Sequence, residues 1–130
     1  MAKRILRVAY EGTFGVIHET AKRTIDIIKH KDGEYYYKFI KMNELQKNVA
    51  VKKKVDSCKV EEILTMLSTI TVPAFPRHDM GCDGGFTEIE VGDYGGKSHF
   101  RWWSMPPEGW EALDDVARKI IADADFENFY

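Results

Sequence analysis

An α+β domain, with an antiparallel sheet of five to seven strands and two helices packed on one face, is the fold this sequence predicts. Three observations carry it. Two-residue alternation recurs in both halves of the chain, Asp-Gly and glycine-rich turns join the alternating runs, and two stretches place apolar residues three and four apart. At 130 residues the chain has the size of one domain, long enough to bury most of the surface exposed on unfolding. With 44% hydrophobic and 31% charged residues and no internal repeat, its composition is that of a soluble globular protein. No apolar run approaches the ~18 residues of a membrane span. The start, MAKRILRVAYEG, lacks the apolar region of a secretory signal. Cys58 and Cys82 are too few for a disulfide framework. A cytoplasmic protein with two free thiols is expected.

Residues 5–10 read as the first strand, with Leu6, Val8 and Tyr10 on one face. The glycines of Glu11-Gly12-Thr13-Phe14-Gly15 are too few and wrongly spaced for a phosphate loop, so this is a turn. Residues 16–20 fit a short strand. The clearest hairpin follows, residues 22–30 and 34–42 around Lys31-Asp32-Gly33. Its second arm sets Tyr35, Tyr37 and Phe39 against Tyr36, Lys38 and Ile40. Three tyrosines in a row suit a stacking platform for single-stranded nucleic acid. No arginine or glycine accompanies them, however, and tyrosine packs well on a pleated surface.

Residues 43–48 read as a polar connection and 49–55 as a strand, with Lys53 on its apolar side. Lys52, Lys53 and Lys54 are candidates for phosphate contacts. A strand bearing lysines is more simply a solvated edge that resists pairing. Asp56 or Ser57 caps a helix over residues 57–70, with Glu61 and Glu62 expected in its first turn and a stripe of Val60, Ile63, Leu64, Leu67 and Ile70. Pro73 ends it. The irregular stretch 72–85 holds His78, Asp79, Cys82 and Asp83. These are metal-ligand types, but one cluster without a second ligand pair falls short of a zinc motif. No cofactor and no metal site are expected.

Residues 85–92 and 97–103 alternate around Gly92-Asp93-Tyr94-Gly95-Gly96. Thr87, Ile89, Val91, Ser98, Phe100 and Trp102 share one face, and Phe86, Glu88, Glu90, Lys97, His99, Arg101 and Trp103 the other. Cross-strand pairing of Glu88 and Glu90 with His99 and Arg101 accounts for that second face without a ligand. Arg101 and Trp103 are also the residue types that dominate recognition patches. Two prolines then lead into a helix over residues 108–122, buried through Trp110, Leu113, Val116, Ala117, Ile120 and Ile121. Glu111, Asp114 and Asp115 lie outside that stripe, and the pairs Asp114–Arg118 and Asp115–Lys119 are spaced to interact along it. Phe126, Phe129 and Tyr130 are expected to fold back.

The stretch from Asp83 to Ile121 resembles a pattern of small bacterial proteins. In these an Asp-Gly opens a hairpin, Trp-Trp closes it and a Pro-x-Gly-Trp-x-x-Leu segment follows. The matching positions are Asp83, Gly84, Trp102, Trp103, Pro107, Gly109, Trp110 and Leu113, in about 40 of the 130 residues. Some such proteins are immunity proteins of contact-dependent and polymorphic toxin systems. The pattern is structural in kind and implies no site residues.

Charge is divided unevenly. Residues 1–59 carry 14 Lys+Arg against 7 Asp+Glu, and residues 60–130 carry 5 against 14. Either the halves neutralise each other on folding or a charged partner does so. Catalysis needs a nucleophile beside a base, two carboxylates at a working distance, or a metal with an open position. His18-Glu19, His30, His78-Asp79 and His99 have no such support, so an enzyme is not expected. The reading is a protein-binding module of immunity-protein type, meeting its partner through Glu88, Glu90, Arg101, Trp103, Glu111, Asp114 and Asp115. The alternatives are a small metal-dependent or His/Asp enzyme and a nucleic-acid binder.

Overall fold

The computed structural model describes residues 3–12, 22–43, 46–74, 85–93 and 96–126. Its elements are strands β1 (Lys3–Gly12), β2 (Lys22–Lys29), β3 (Tyr35–Asn43) and β4 (Gln46–Val55), helix α1 (Ser57–Thr69), strands β5 (Gly85–Asp93) and β6 (Gly96–Trp103), and helix α2 (Glu111–Ala124). The strands form one antiparallel sheet in the order β4-β3-β2-β1-β5-β6, covered on one face by the two helices. The fold is α+β, with six strands inside the expected range. The residues 16–20, expected as a strand, lie outside those described.

The β2–β3 hairpin turns where the Asp-Gly pair predicts. Gly33 has a φ of +86°, the Gly33 N–H donates to the His30 carbonyl at 3.0 Å, and Asp32 Oδ1 accepts from the Glu34 N–H at 2.9 Å. β3 and β4 meet in a shorter connection than expected, since their pairing extends to Asn43 opposite Gln46.

Period-two alternation sorts the faces correctly. Leu6, Val8, Ile25, Ile27, Tyr35, Tyr37, Phe39 and Ile89 pack under the helices with Val60, Ile63, Leu113, Val116 and Ile120. Four antiparallel strands in sequence leave β5 to pair with β1, Val8 opposite Ile89, so α1 carries the chain back over the sheet from its β4 edge.

α1 begins where expected, after Asp56, but its first turn differs from expectation, and α2 begins later than expected. Asp56 caps α1 by accepting from the Cys58 N–H at 2.9 Å. Glu61 and Glu62 therefore lie beyond the first turn, which contains no acid. α2 begins at Glu111 rather than at residue 108. Gly109 has a φ of +92°, a conformation no helix contains, and the Trp110 N–H closes a turn on the Pro107 carbonyl at 2.9 Å. A Cβ at Gly109 would lie 2.8 Å from Pro73 Cδ, and Trp110 Nε1 donates to the Pro73 carbonyl at 2.9 Å. The chain after α1 is thereby clamped to the entrance of α2. Trp110 then meets Trp102 and Phe100 edge-on, with centroids 6.2 and 5.4 Å apart.

At its far end α2 stops with Asp125 in the left-handed region. There Lys53 Nζ donates to the carbonyls of Ala124 and Asp125 at 2.9 and 2.8 Å, satisfying groups the helix leaves open. Phe126 folds back onto Phe39, with centroids 5.1 Å apart. Phe129 and Tyr130 lie outside the described residues. No described helix is long and apolar enough to cross a membrane.

Candidate functional site

The sheet face turned away from the helices, called the outer face below, collects most of the polar residues singled out from the sequence. Strand register sets them in rows. Arg7 stands opposite Asp26 and Glu90, Ala9 opposite Thr24 and Glu88, and Glu11 opposite Lys22 and Phe86. On β6, His99 faces Glu90, Arg101 faces Glu88 and Trp103 faces Phe86.

These charges mesh. Arg7 grips Asp26 through both carboxylate oxygens, at 2.6 and 2.9 Å, and Asp26 is only 4% exposed. The Asp26 hydrogen bond holds the Arg7 guanidinium in its charged form more firmly than usual. Glu88, 7% exposed, sits between His99 Nε2 at 2.9 Å and Lys22 Nζ at 3.1 Å. Burial pulls its pKa upward, but the hydrogen bonds from Lys22 and His99 outweigh that and lower it. Glu90 takes Lys97 and Arg4, each at 2.9 Å, and the Lys97 hydrogen bond leads in lowering its pKa. The expected pairing of Glu88 with His99 is present. Glu90 instead finds Lys97 and Arg4, because side chains reach diagonally as well as straight across.

Arg101 does not close on Glu88. Its guanidinium carbon lies 3.7 Å from the Phe86 ring centroid, and its Nη2 is 3.8 Å from Glu11 Oε2. Trp103 meets the other side of the problem, edge-on to Phe86 at 4.8 Å, and is itself 8% exposed. Of the two, Arg101 is the one that solvent reaches, while Trp103 is the support beneath it. Phe86 was not singled out from the sequence as part of a patch. The signal was there, since hairpin register about Gly92 to Gly96 puts it directly across from Trp103. The strand start is fixed by Gly85, where a Cβ would fall 2.8 Å from the Glu11 carbonyl oxygen and from the Tyr10 ring.

The acidic residues of α2 lie on the opposite side of the sheet, so the seven expected contact residues do not form one patch. Glu111 Oε2 accepts from the Gly109 N–H at 2.9 Å. Asp114 is buried and accepts from Arg118 Nε at 2.6 Å, as its four-residue spacing predicts. The expected partner of Asp115, Lys119, reaches across to Glu62 of α1 at 2.6 Å instead. Asp123 accepts from Lys59 at 2.7 Å and from the Tyr37 hydroxyl at 2.7 Å. Burial first, and then the Asp123 hydrogen bond, push the Tyr37 phenol well above its usual range. A groove of about 390 Å³ between the helices is lined by these same paired charges, Lys59, Glu62, Lys119 and Asp123. Asp115 is exposed and has no ion pair among the described residues.

The chemistry considered earlier can now be placed. Glu88 and His99 make a carboxylate–imidazole pair, half of a general-base device. The residues across the strands from them are Arg101 and Glu90, and Glu90 is tied up by Lys97 and Arg4. His30 lies edge-on to Tyr36 at 4.6 Å. His18, Glu19, His78, Asp79, Cys82 and Asp83 lie outside the described residues, and no group of three metal-ligating side chains occurs among those described. The lysine run does not act as a unit. Lys53 turns to the helix side and holds the end of α2, Lys54 pairs with Glu34 at 3.2 Å, and Lys52 is left on the outer face. No protein-family model matches this chain, and no curated protein sequence is significantly similar to it.

Proposed function

We propose that this chain is a cytoplasmic, non-enzymatic protein-binding module of bacterial immunity type, which neutralises a toxin by covering its active site. The observation that carries the reading is the Arg101–Phe86–Trp103 stack. An exposed guanidinium, held at 3.7 Å over an aromatic ring and braced by a buried tryptophan, is already in place before a partner arrives. Little side-chain entropy is then lost on binding, which is how arginine and tryptophan come to dominate interface energetics. Glu88 and Glu90, fixed by their ion pairs, rim the stack with charge of defined position. Glu111 and Asp115 on α2 act at a distance, steering a basic partner rather than touching it with the stack. Asp114, buried against Arg118, serves α2 itself.

The test is to express the product of the gene adjacent to this one, alone and together with this chain, and to follow growth and complex formation. Rescue of growth and a stable purified complex are expected. Arg101→Ala should weaken that complex about tenfold or more, while changing unfolding by less than about 1 kcal/mol. A toxin that kills equally with and without the chain would remove the proposal.

A further inference from the structure

Among the described residues, unmatched charge lies toward the β4 edge of the sheet. β4 is the terminal strand and has a single neighbour, β3, among the described residues. Val51 points to the helix side but is 45% exposed, beyond the reach of the helices. On the outer face Lys52 stands directly opposite Lys38, like charge against like charge. Neither has a carboxylate partner among the described residues. Asp26, the residue across from Lys38 on β2, gives both oxygens to Arg7. Among the described residues, this end of the sheet thus offers backbone groups with no neighbouring strand, an exposed apolar side chain on β4, and two lysines without a carboxylate partner, Lys52 on β4 and Lys38 beside it on β3.

We propose that β4 is a docking edge for an extended acidic segment of a protein partner, which adds as a further antiparallel or parallel strand. Strand addition takes its affinity from main-chain hydrogen bonds and its specificity from alternate side chains. Here the incoming strand carries carboxylates on the outer face, against Lys52 and Lys38, and an apolar residue beside Val51. Edge lysines ordinarily keep neighbouring strands away. They repel a basic strand, including a second copy of β4 with its own Lys52, Lys53 and Lys54, and admit an acidic one. This surface is separate from the Arg101 stack, which lies at the other end of the sheet, so either can fail without the other.

The full chain, isotopically labelled, is titrated with a heptapeptide of alternating glutamate and valine. A lysine–valine heptapeptide is the control. Expected is saturable binding of the acidic peptide, weakened by salt. Amide exchange in residues 51–55 should slow about tenfold or more. Lys38→Glu/Lys52→Glu should reduce affinity about tenfold or more, with native spectra confirming its fold, and Val51→Lys should weaken binding with both lysines intact. Absence of binding at millimolar peptide overturns the proposal, as does equal binding of the lysine–valine peptide. So does a footprint on β6 or α2, or lysine shifts without slowed β4 exchange. Slowing of β4 exchange with protein concentration alone would assign the edge to a second copy. Displacement of the peptide by a thymidine oligonucleotide would assign the lysines to phosphates. Either result rejects the acidic segment.

Discussion

The two ends of the sheet treat charge in opposite ways. At the β2–β1–β5–β6 end three carboxylates are each held by more than one contact: Asp26 by both ends of the Arg7 guanidinium, Glu88 by Lys22 and the His99 imidazole, and Glu90 by Arg4 and Lys97. At the β3–β4 end Lys38 and Lys52 face each other, while Lys54, at the hairpin end, pairs with Glu34. That end is held instead from the helix side, by Tyr37 on Asp123 and Lys53 on the end of α2. The lesson is that the opposite net charges of the two halves of the chain do not cancel uniformly. Arg4, Arg7 and Lys22 cross to β5 or β2 and are consumed, Lys53 and Lys59 are consumed by α2, and Lys38 and Lys52, toward the β4 edge, meet no carboxylate among the described residues.

Breaking the meshed end should have the largest effect. Asp26→Ala strands the Arg7 guanidinium on a half-buried face and should lower unfolding free energy by about 3 kcal/mol in urea melts. Lys52→Ala should stay within about 0.5 kcal/mol. Equal costs would erase the contrast between the ends.

A second comparison uses pH. Glu88, Glu90 and Asp123 have pKa values depressed on folding, with ordinary carboxylate values of 4.5 for the glutamates. The unfolded chain then binds protons first as pH falls, so their contribution is present above pH 4.5 and is lost through the lower folded values. Glu88→Gln should flatten this acid limb. Tyr37 behaves in the opposite sense. Its raised pKa means the unfolded chain ionises first, so stability falls as pH rises above 10. Tyr37→Phe should cost about 1 kcal/mol at neutral pH and flatten the alkaline limb. Acid would then loosen the meshed end and, through Asp123, its contacts with Lys59 and Tyr37, whereas alkali would act at Tyr37.

The smallest expected effect is also the most discriminating. Lys38→Glu replaces repulsion across β3–β4 with attraction and should leave stability unchanged or raise it by a few tenths of a kcal/mol. A loss above about 1 kcal/mol would mean that Lys38 supports the sheet in a way its register does not show.

Much of the fold was legible because it is written locally. Asp32-Gly33 fixed one hairpin and the glycines at 92 and 96 another, while Val60 and Ile63, or Leu113 and Ile120, fixed which side of each helix is buried. The start of α2 was misread because prolines suit a first turn, whereas Gly109 is held in a turn by contact with Pro73, far away in sequence. Among the binding candidates, Asp114 is expected outside the buried stripe of α2 but is itself buried. Glu88, Glu90 and Arg101 share the outer face, while Glu111 and Asp115 lie across the sheet.

Alternation and helical spacing alone therefore determined roughly where strands and helices lie and which way most of their side chains point, though not where β4 and α2 begin, since both patterns follow from backbone geometry within a few residues. Tertiary structure decided the strand order, the burial of Trp103 and Asp114, and which lysine meets which carboxylate. Those outcomes depend on pairing between segments as far apart as Arg4 and Glu90. Any of several cations could satisfy a given acid, and only the register of the assembled sheet selects among them.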